Sequence, residues 1–284
     1  MSLDIPVEYL WLFPLGILIG AFGTLIGAGG GFILVPILLL LYPKEPAELV
    51  TAISLAVVFF NALSGSFAYA RMKRVDYKAG IFFSIATIPG AIIGALSTAY
   101  IPRRIFDLIF GVLMIIAAII LWLSAEDKHS TSPNGAPIKS NPNNPRLTER
   151  HLVDAEGTRY DYAFDLRLGI LISVFVGFIS SLLGVGGGFI HVPALAHLLN
   201  FPVHIATATS HFVLAVMALT GTLVHVATGV FVHGVRRTAL LAIGVLIGAQ
   251  AGAWMSNRVG GKSIIRALAV ALAFVGIRLI LSEY

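Results

Sequence analysis

Two stretches of the chain bare the backbone at matched places: GAGGGFILVP, from Gly27 to Pro36, and GVGGGFIHVP, from Gly184 to Pro193. Glycine costs a helix interior roughly 1 kcal/mol relative to alanine. Three together, followed by Pro36 or Pro193, are expected to interrupt a helix. The half-helix restarting near Gly31 or Gly188 then opens with unpaired N–H groups that carry partial positive charge. With no side chain in the way, a small anion can approach those amides. Gly29, Gly30, Gly31, Gly186, Gly187 and Gly188 are therefore candidate ligand residues, and the chemistry is hydrogen bonding to an oxyanion rather than covalent catalysis.

Hydroxyl and amide side chains near these motifs could add donors. Thr51, Ser54 and Asn61 lie on one apolar segment, and Thr207, Thr209, Ser210 and His211 on another. Such groups hydrogen-bond an oxyanion without adding fixed charge. The plainer alternative is that Ser and Thr bond back to carbonyls of their own helix or across helices. Six of eight histidines fall between residues 191 and 233, which raises a metal-carrier alternative. They lack compact i, i+4 pairing and carboxylate or thiol company, so no metal-ligand set is expected. His211 is retained because it follows Ser210; protonated, it would attract an anion.

Acidic residues fix the sign of the guest. Between Asp165 and Glu283 there is no Asp or Glu, and Glu48, Asp76 and Asp107 sit at segment ends or in loops. Cation carriers place carboxylates inside the membrane to compensate the ion. Their absence here favours an anion.

The elements that must position these groups are membrane helices. Of 284 residues, 57% are hydrophobic and 12% charged, with mean hydropathy +0.91. A soluble domain carries about twice that charged fraction, and a bilayer-crossing helix needs roughly 20 apolar residues. Eight apolar segments meet the need, at about residues 10–42, 47–70, 79–100, 104–124, 168–200, 203–232, 236–256 and 263–281. The expected fold is an all-α polytopic membrane protein, with segments 1 and 5 broken at the glycines. Asp4 and Glu8, with no Lys or Arg, precede the first segment, which is unlike a secretory leader; that segment is expected to be retained. The net charge of +5 comes from basic residues at loops and helix ends, which bears on topology and not on nucleic acid.

Residues 125–167 differ. They are polar and rich in proline, and read as a linker whose middle is flexible and which cannot bury apolar surface. The parts on either side correspond. PAELVTAIS (Pro46 to Ser54) matches PVHIATATS (Pro202 to Ser210), and GAIIGA (Gly90 to Ala95) matches GAQAGA (Gly248 to Ala253). With the glycine motifs, these matches argue for two homologous four-segment repeats, residues 1–124 and 168–284, a pattern of secondary transporters. Gly90, Gly94, Gly248 and Gly252 are read as close helix packing.

Segments 1 and 5 are 33 residues each, too long for one crossing of a ~30 Å core. Either every segment crosses once, or segments 1 and 5 turn back at the glycines and the halves are inverted. Both arrangements place 13 Lys and Arg on the linker side and 6 on the other, so both make the linker cytoplasmic.

The paired G-x-G-G-G-F-I-x-V-P motifs, the four-plus-four organisation and the polar linker resemble the TauE/SafE family of membrane transporters. The resemblance spans nearly the whole chain outside residues 125–166. It implies small sulfur oxyanions, sulfite or organosulfonates such as sulfoacetate, exported across a bacterial inner membrane. It carries to this chain only the two glycine motifs and the polar turns around Ser54 and Ser210.

The expectation is a secondary transporter working by alternating access, with a small anionic substrate and the lipid bilayer as partners; self-association into a homo-oligomer is compatible with it. A His-dependent cation carrier and a passive anion channel are the alternatives. The chain has no cysteine, no G-x-x-x-x-G-K-[ST], no H-E-x-x-H and no G-x-S-x-G, so neither an enzyme nor a cofactor is expected.

Overall fold

A computed structural model describes residues 9–124, 147–256 and 262–281. In chain order the elements are α1 (Leu12–Ile26), α2 (Gly31–Leu41), α3 (Ala47–Arg71), α4 (Tyr77–Thr98), α5 (Arg103–Ser124), β1 (Leu147–Val153) and β2 (Arg159–Asp165). Then come α6 (Leu166–Leu183), α7 (Gly188–Pro193) with a π turn (Ala194–Leu198), α8 (Val203–Ala227), a 3-10 turn (Val230–Gly234), α9 (Val235–Met255) and α10 (Lys262–Leu281). By length and composition, α3, α4, α6, α8 and the 3-10 turn with α9 are five candidate membrane spans among the described residues. The protein is a mostly helical polytopic membrane protein.

Local chemistry sets the helix limits. α1 ends on Gly27 and α6 on Gly184, both left-handed, the usual place for glycine past a helix. Pro46 and Pro202 stand just before α3 and α8 in extended conformation. The Asp76 carboxylate caps α4 at Ala79 N–H, and Asp165 caps α6 at Arg167 and Leu168. These caps satisfy donors that hydrocarbon would leave unpaired.

Contacts fix the direction of each helix. α3 starts at an end marked by Glu45, which Arg237 of α9 pairs at 2.6 Å. It finishes at the sheet, where Arg74 pairs with Asp154 at 3.2 Å. α8 runs oppositely. Near its start Thr209 Oγ1 accepts the Asp76 N–H at 3.0 Å, and in its last turn His225 lies 4.0 Å from Glu48. α1 runs parallel to α9, Gly16 against Leu241 and Gly20 against Val245. α6 runs parallel to α4, with Gly90 against Val174 and Gly94 against Phe178.

These directions make α1 and α2 a re-entrant pair. α1 enters from the Arg237 end, and the chain then doubles back so that Gly30 lies beside Ile19. α2 returns to the same end, where Arg237 sits 4.3 Å over the Tyr42 ring. α6 and α7 repeat this from the sheet end: Gly187 lies beside Val176, and the chain returns to Phe201, whose ring is 4.6 Å from that of Tyr162. At 15 and 11 residues, α1 and α2 measure roughly 22 and 16 Å, too short for a crossing. α6 is long enough to count as a span by itself, so in segment 5 it is the return of the chain after Gly187 to Phe201 that speaks against one straight crossing.

The glycines read as packing positions do pack closely. A β-carbon on Gly90, Gly94, Gly248 or Gly252 would fall on backbone of the neighbouring helix. The same holds where α5 meets α10, at Gly111 and Gly276.

The linker expectation needs correction. Residues 147–165 form an antiparallel hairpin registering Leu147 with Asp165 and Val153 with Arg159, the one departure from an all-α fold among the described residues. RYDYAFD alternates, so Tyr160, Tyr162 and Phe164 share one face and bury with Phe83 and Phe201. Period-two burial was hidden in a stretch polar by average composition. The sheet is tied to the α3–α4 loop by Arg150 on Asp76 at 3.1 Å and by Tyr162 Oη donating to Asp76 at 2.7 Å. Burial first, then the adjacent Asp76 carboxylate, push the Tyr162 phenol up. The expected flexible middle falls on residues 125–146, outside the described residues.

Candidate site where the two glycine turns meet

The two re-entrant tips pack against each other beside Val58 of α3 and Leu214 of α8. A β-carbon on Gly31 would fall on the carbonyl oxygens of Val185 and Gly184; one on Gly188 would fall on that of Gly27. Close backbone approach therefore also demands glycine at these two places. The contacts repeat with the motifs exchanged. Gly27 faces Thr207 where Gly184 faces Thr51, and Gly29 faces Leu214 where Gly186 faces Val58.

Each turn frees amides. Gly30 precedes α2 at φ 82°, a conformation glycine adopts at little cost. The N–H groups of Ala28 and Gly29 fold back onto the Gly23 carbonyl, and Ile33 and Leu34 bond to Gly30. Among the described residues, the amides of Gly30, Gly31 and Phe32 take no backbone acceptor. In the second turn Val185 N–H bonds to Ser180, Gly188 to Gly186, and His191 to Gly187. The amides of Gly186, Gly187 and Phe189 are the ones left over.

The polar side chains fall unequally around the tips. Ser54 Oγ donates to the Gly184 carbonyl at 2.6 Å. Asn61 accepts from Thr24 at 3.0 Å through Oδ1, and its buried Nδ2 has no partner. Ser210 is buried with its hydroxyl unpaired. His211 Nε2 lies 3.4 Å from Thr24 Oγ1, with its ring edge-on to Tyr69. Thr51 bonds back to the Glu48 carbonyl at 2.9 Å, so its proton serves its own helix. Thr207 is half-buried with its methyl toward Gly27.

Sequence reasoning passed over Thr24, Tyr69, Ser180 and Ser181. Tyr69 Oη donates to the Thr24 carbonyl at 2.9 Å, fastening the first tip. Ser180 and Ser181 are buried with unpaired hydroxyls. The available signal was the repeat offset, which aligns Thr24 with Ser181 just before each glycine motif. The histidines are scattered: His191 meets Ser173 at 3.3 Å, His211 meets Thr24, and His225 stands near Glu48. The described residues hold no group of three or more His, Asp or Glu side chains placed to bind a metal ion.

Paired re-entrant helices inside a bundle of candidate membrane spans define the class, a polytopic membrane protein. The family profile of the sulfite exporter TauE/SafE matches residues 12–279, and the chain belongs to that family. It is 31% identical to the probable membrane transporter protein YunE of Bacillus subtilis, over 96% of this chain and 98% of the relative. It is 25% identical to a probable membrane transporter protein of Methanocaldococcus jannaschii, over 99% of this chain and all of the relative. A third, from Haemophilus influenzae, is 33% identical over 44% of this chain and 47% of its own length. No solved structure matches the chain. The protein is a multi-pass cell-membrane protein of a transporter family.

Proposed function

We propose that the protein is a secondary carrier for a small oxyanion, sulfite or an organosulfonate, and that it exports this guest across a bacterial inner membrane by alternating access. The observation that carries the reading is the reciprocal meeting of two glycine turns, each opening a half-helix with unpaired amides. Here each half-helix start faces carbonyl oxygens of the opposite turn. The amides of Gly30, Gly31, Phe32, Gly186, Gly187 and Phe189 are the principal ligands, while those of Gly29 and Gly188, also expected as ligands, are already bonded to the Gly23 and Gly186 carbonyls. Asn61 Nδ2 and the Ser210 hydroxyl are free to donate; His211 borders this site, Ser54 positions the second turn, and Thr51 and Thr207 back the turns.

Residues 1–124 and 168–284 are, in this reading, homologous halves of inverted topology joined by a cytoplasmic linker, residues 125–167. The matched contacts and the opposite directions of α3 and α8 support it. The linker end holds 13 Lys and Arg and the other end 6, which supports a cytoplasmic linker. The family name supports a sulfur oxyanion.

The test is counterflow in proteoliposomes with labelled sulfite or sulfoacetate. A carrier takes up label faster when the same anion waits inside. Flux without that stimulation assigns a channel instead. Flux of a divalent metal, with none of either anion, assigns a cation carrier.

A further inference from the structure

The matched halves are fastened unequally, and the inequality has a direction. On α3, Ser54 Oγ donates to Gly184 O on the second tip at 2.6 Å, and Tyr69 Oη donates to Thr24 O on the first tip at 2.9 Å. The repeat offset aligns Ser54 with Ser210, Tyr69 with His225, Gly184 with Gly27 and Thr24 with Ser181. The corresponding bonds from α8 would run from Ser210 to Gly27 O and from His225 to Ser181 O. Neither is made. The Ser210 hydroxyl and both His225 ring nitrogens are buried without a hydrogen-bond partner, at 1% and 0% exposure. A buried polar group left unpaired costs about 1–3 kcal/mol, so three such atoms on the matched face of one helix call for an alternative set of partners.

The packing is unequal in the same sense. A β-carbon on Gly184 would stand 2.8 Å from Thr51 Cα, whereas one on Gly27 would stand 3.4 Å from Thr207 Cα. Thr51 is fully buried, and Thr207 is half-buried. The second tip thus meets the backbone of α3 toward the Arg237 end, whereas the first tip meets α8 toward the sheet end through the Thr207 methyl, 2.8 Å from a β-carbon on Gly27.

We infer that Ser54 with Tyr69, and Ser210 with His225, are alternative latches that hold the carrier in two opposite-facing states. In the present state the α3 latch is made and the Arg237 end is shut. In the opposite state Ser210 donates to the Gly27 carbonyl and a His225 ring N–H to the Ser181 carbonyl, while Ser54 and Tyr69 are released. Inverted repeats supply this exchange without new machinery, because each half can take the other's conformation. The exchange moves hydrogen bonds only; no covalent bond changes. The inference rests on the carrier reading, but its test needs no substrate.

The chain contains no cysteine, so single-cysteine reporters have no background. The reporters are Thr51→Cys and Thr207→Cys in the full chain in proteoliposomes, labelled with a small maleimide in excess on both sides of the membrane. Ser54→Ala or Tyr69→Phe should raise the labelling rate at residue 51 and lower it at residue 207, changing the ratio of the two rates by about fivefold, as expected for loss of about 1 kcal/mol from one state. Ser210→Ala or His225→Phe should move both rates the other way. Opposite signs separate a latch from loosened folding, which raises both rates together. If all four substitutions move the reporters in one sense, or none moves them, the latch assignment is overturned. The carrier reading would stand or fall separately on counterflow.

Discussion

Gly188 stands against the carbonyl oxygen of Gly27, and a side chain on Gly188 would displace that carbonyl. Gly31 stands in the corresponding place against Gly184 and Val185. The two contacts lock the tips together at the backbone, so the first prediction concerns them.

Gly31→Ala and Gly188→Ala should each destabilise the protein, by about 1–3 kcal/mol as for an overpacked interior. Each should also reduce anion counterflow at least tenfold. Thermal melting in detergent and counterflow in proteoliposomes read the two effects. Gly157→Ala serves as the comparison, since open space surrounds that position and only its left-handed φ of 84° is strained; it should leave counterflow intact.

The sheet should hold its docking through a few buried polar contacts. Asp76 receives Tyr162 Oη at 2.7 Å and Arg150 at 3.1 Å while capping α4. Tyr162→Phe removes one hydrogen bond and should cost about 1 kcal/mol. Asp76→Ala strips the cap and leaves buried polar groups without their acceptor, so it should cost more. Protease cutting between β1 and α6 in purified protein would rank them; equal rates for both variants and wild type would contradict the docking described.

Docking should also respond to acid in a defined direction. Burial alone would raise the Asp154 carboxyl. The Thr158 N–H, the Tyr160 hydroxyl and Arg74 outweigh it and hold Asp154 below the usual carboxylate range. A lowered folded-state value means the contribution is complete above about pH 4, the ordinary Asp value. It fades only as pH falls through the lowered value. A dye on Ala155→Cys should therefore keep constant anisotropy from neutrality to about pH 5 and lose it in stronger acid. Asp154→Asn should weaken docking at neutral pH and flatten that response.

Topology gives an independent check. Cysteines replacing Lys44 and Lys73 lie at opposite ends of α3. In intact bacterial cells an impermeant maleimide should label position 44 and spare position 73. The reverse pattern would turn the protein over in the membrane.

Much of this arrangement was legible in the residues, for physical reasons. Consecutive glycines followed by proline are costly in a helix wherever they occur, so the breaks at Gly27–Gly31 and Gly184–Gly188 could be read directly. The return of α2 and α7 could not, because charge counting gives the same tally for crossing and re-entrant chains. The side-chain site was half legible. Ser54 and Ser210 align, but only coordinates separate the one bonded to Gly184 from the one left unpaired. Tyr69 and Thr24 escaped notice because their bond joins residues 45 apart in the chain. The sheet escaped because Tyr160, Tyr162 and Phe164 sit among charged neighbours whose average polarity masks the alternation.

The central claim is that the half-helix starts of the two turns hold one anion between them. Anomalous diffraction from crystals grown with selenite, a heavier analogue of sulfite, tests it most directly. One peak is expected within hydrogen-bond distance of the amides of Gly30, Gly31, Phe32, Gly186, Gly187 and Phe189, weakened in Gly31→Ala crystals. A selenite peak seated instead among His191, His211 or His225, or none at these turns at a concentration that stabilises the protein, would contradict it.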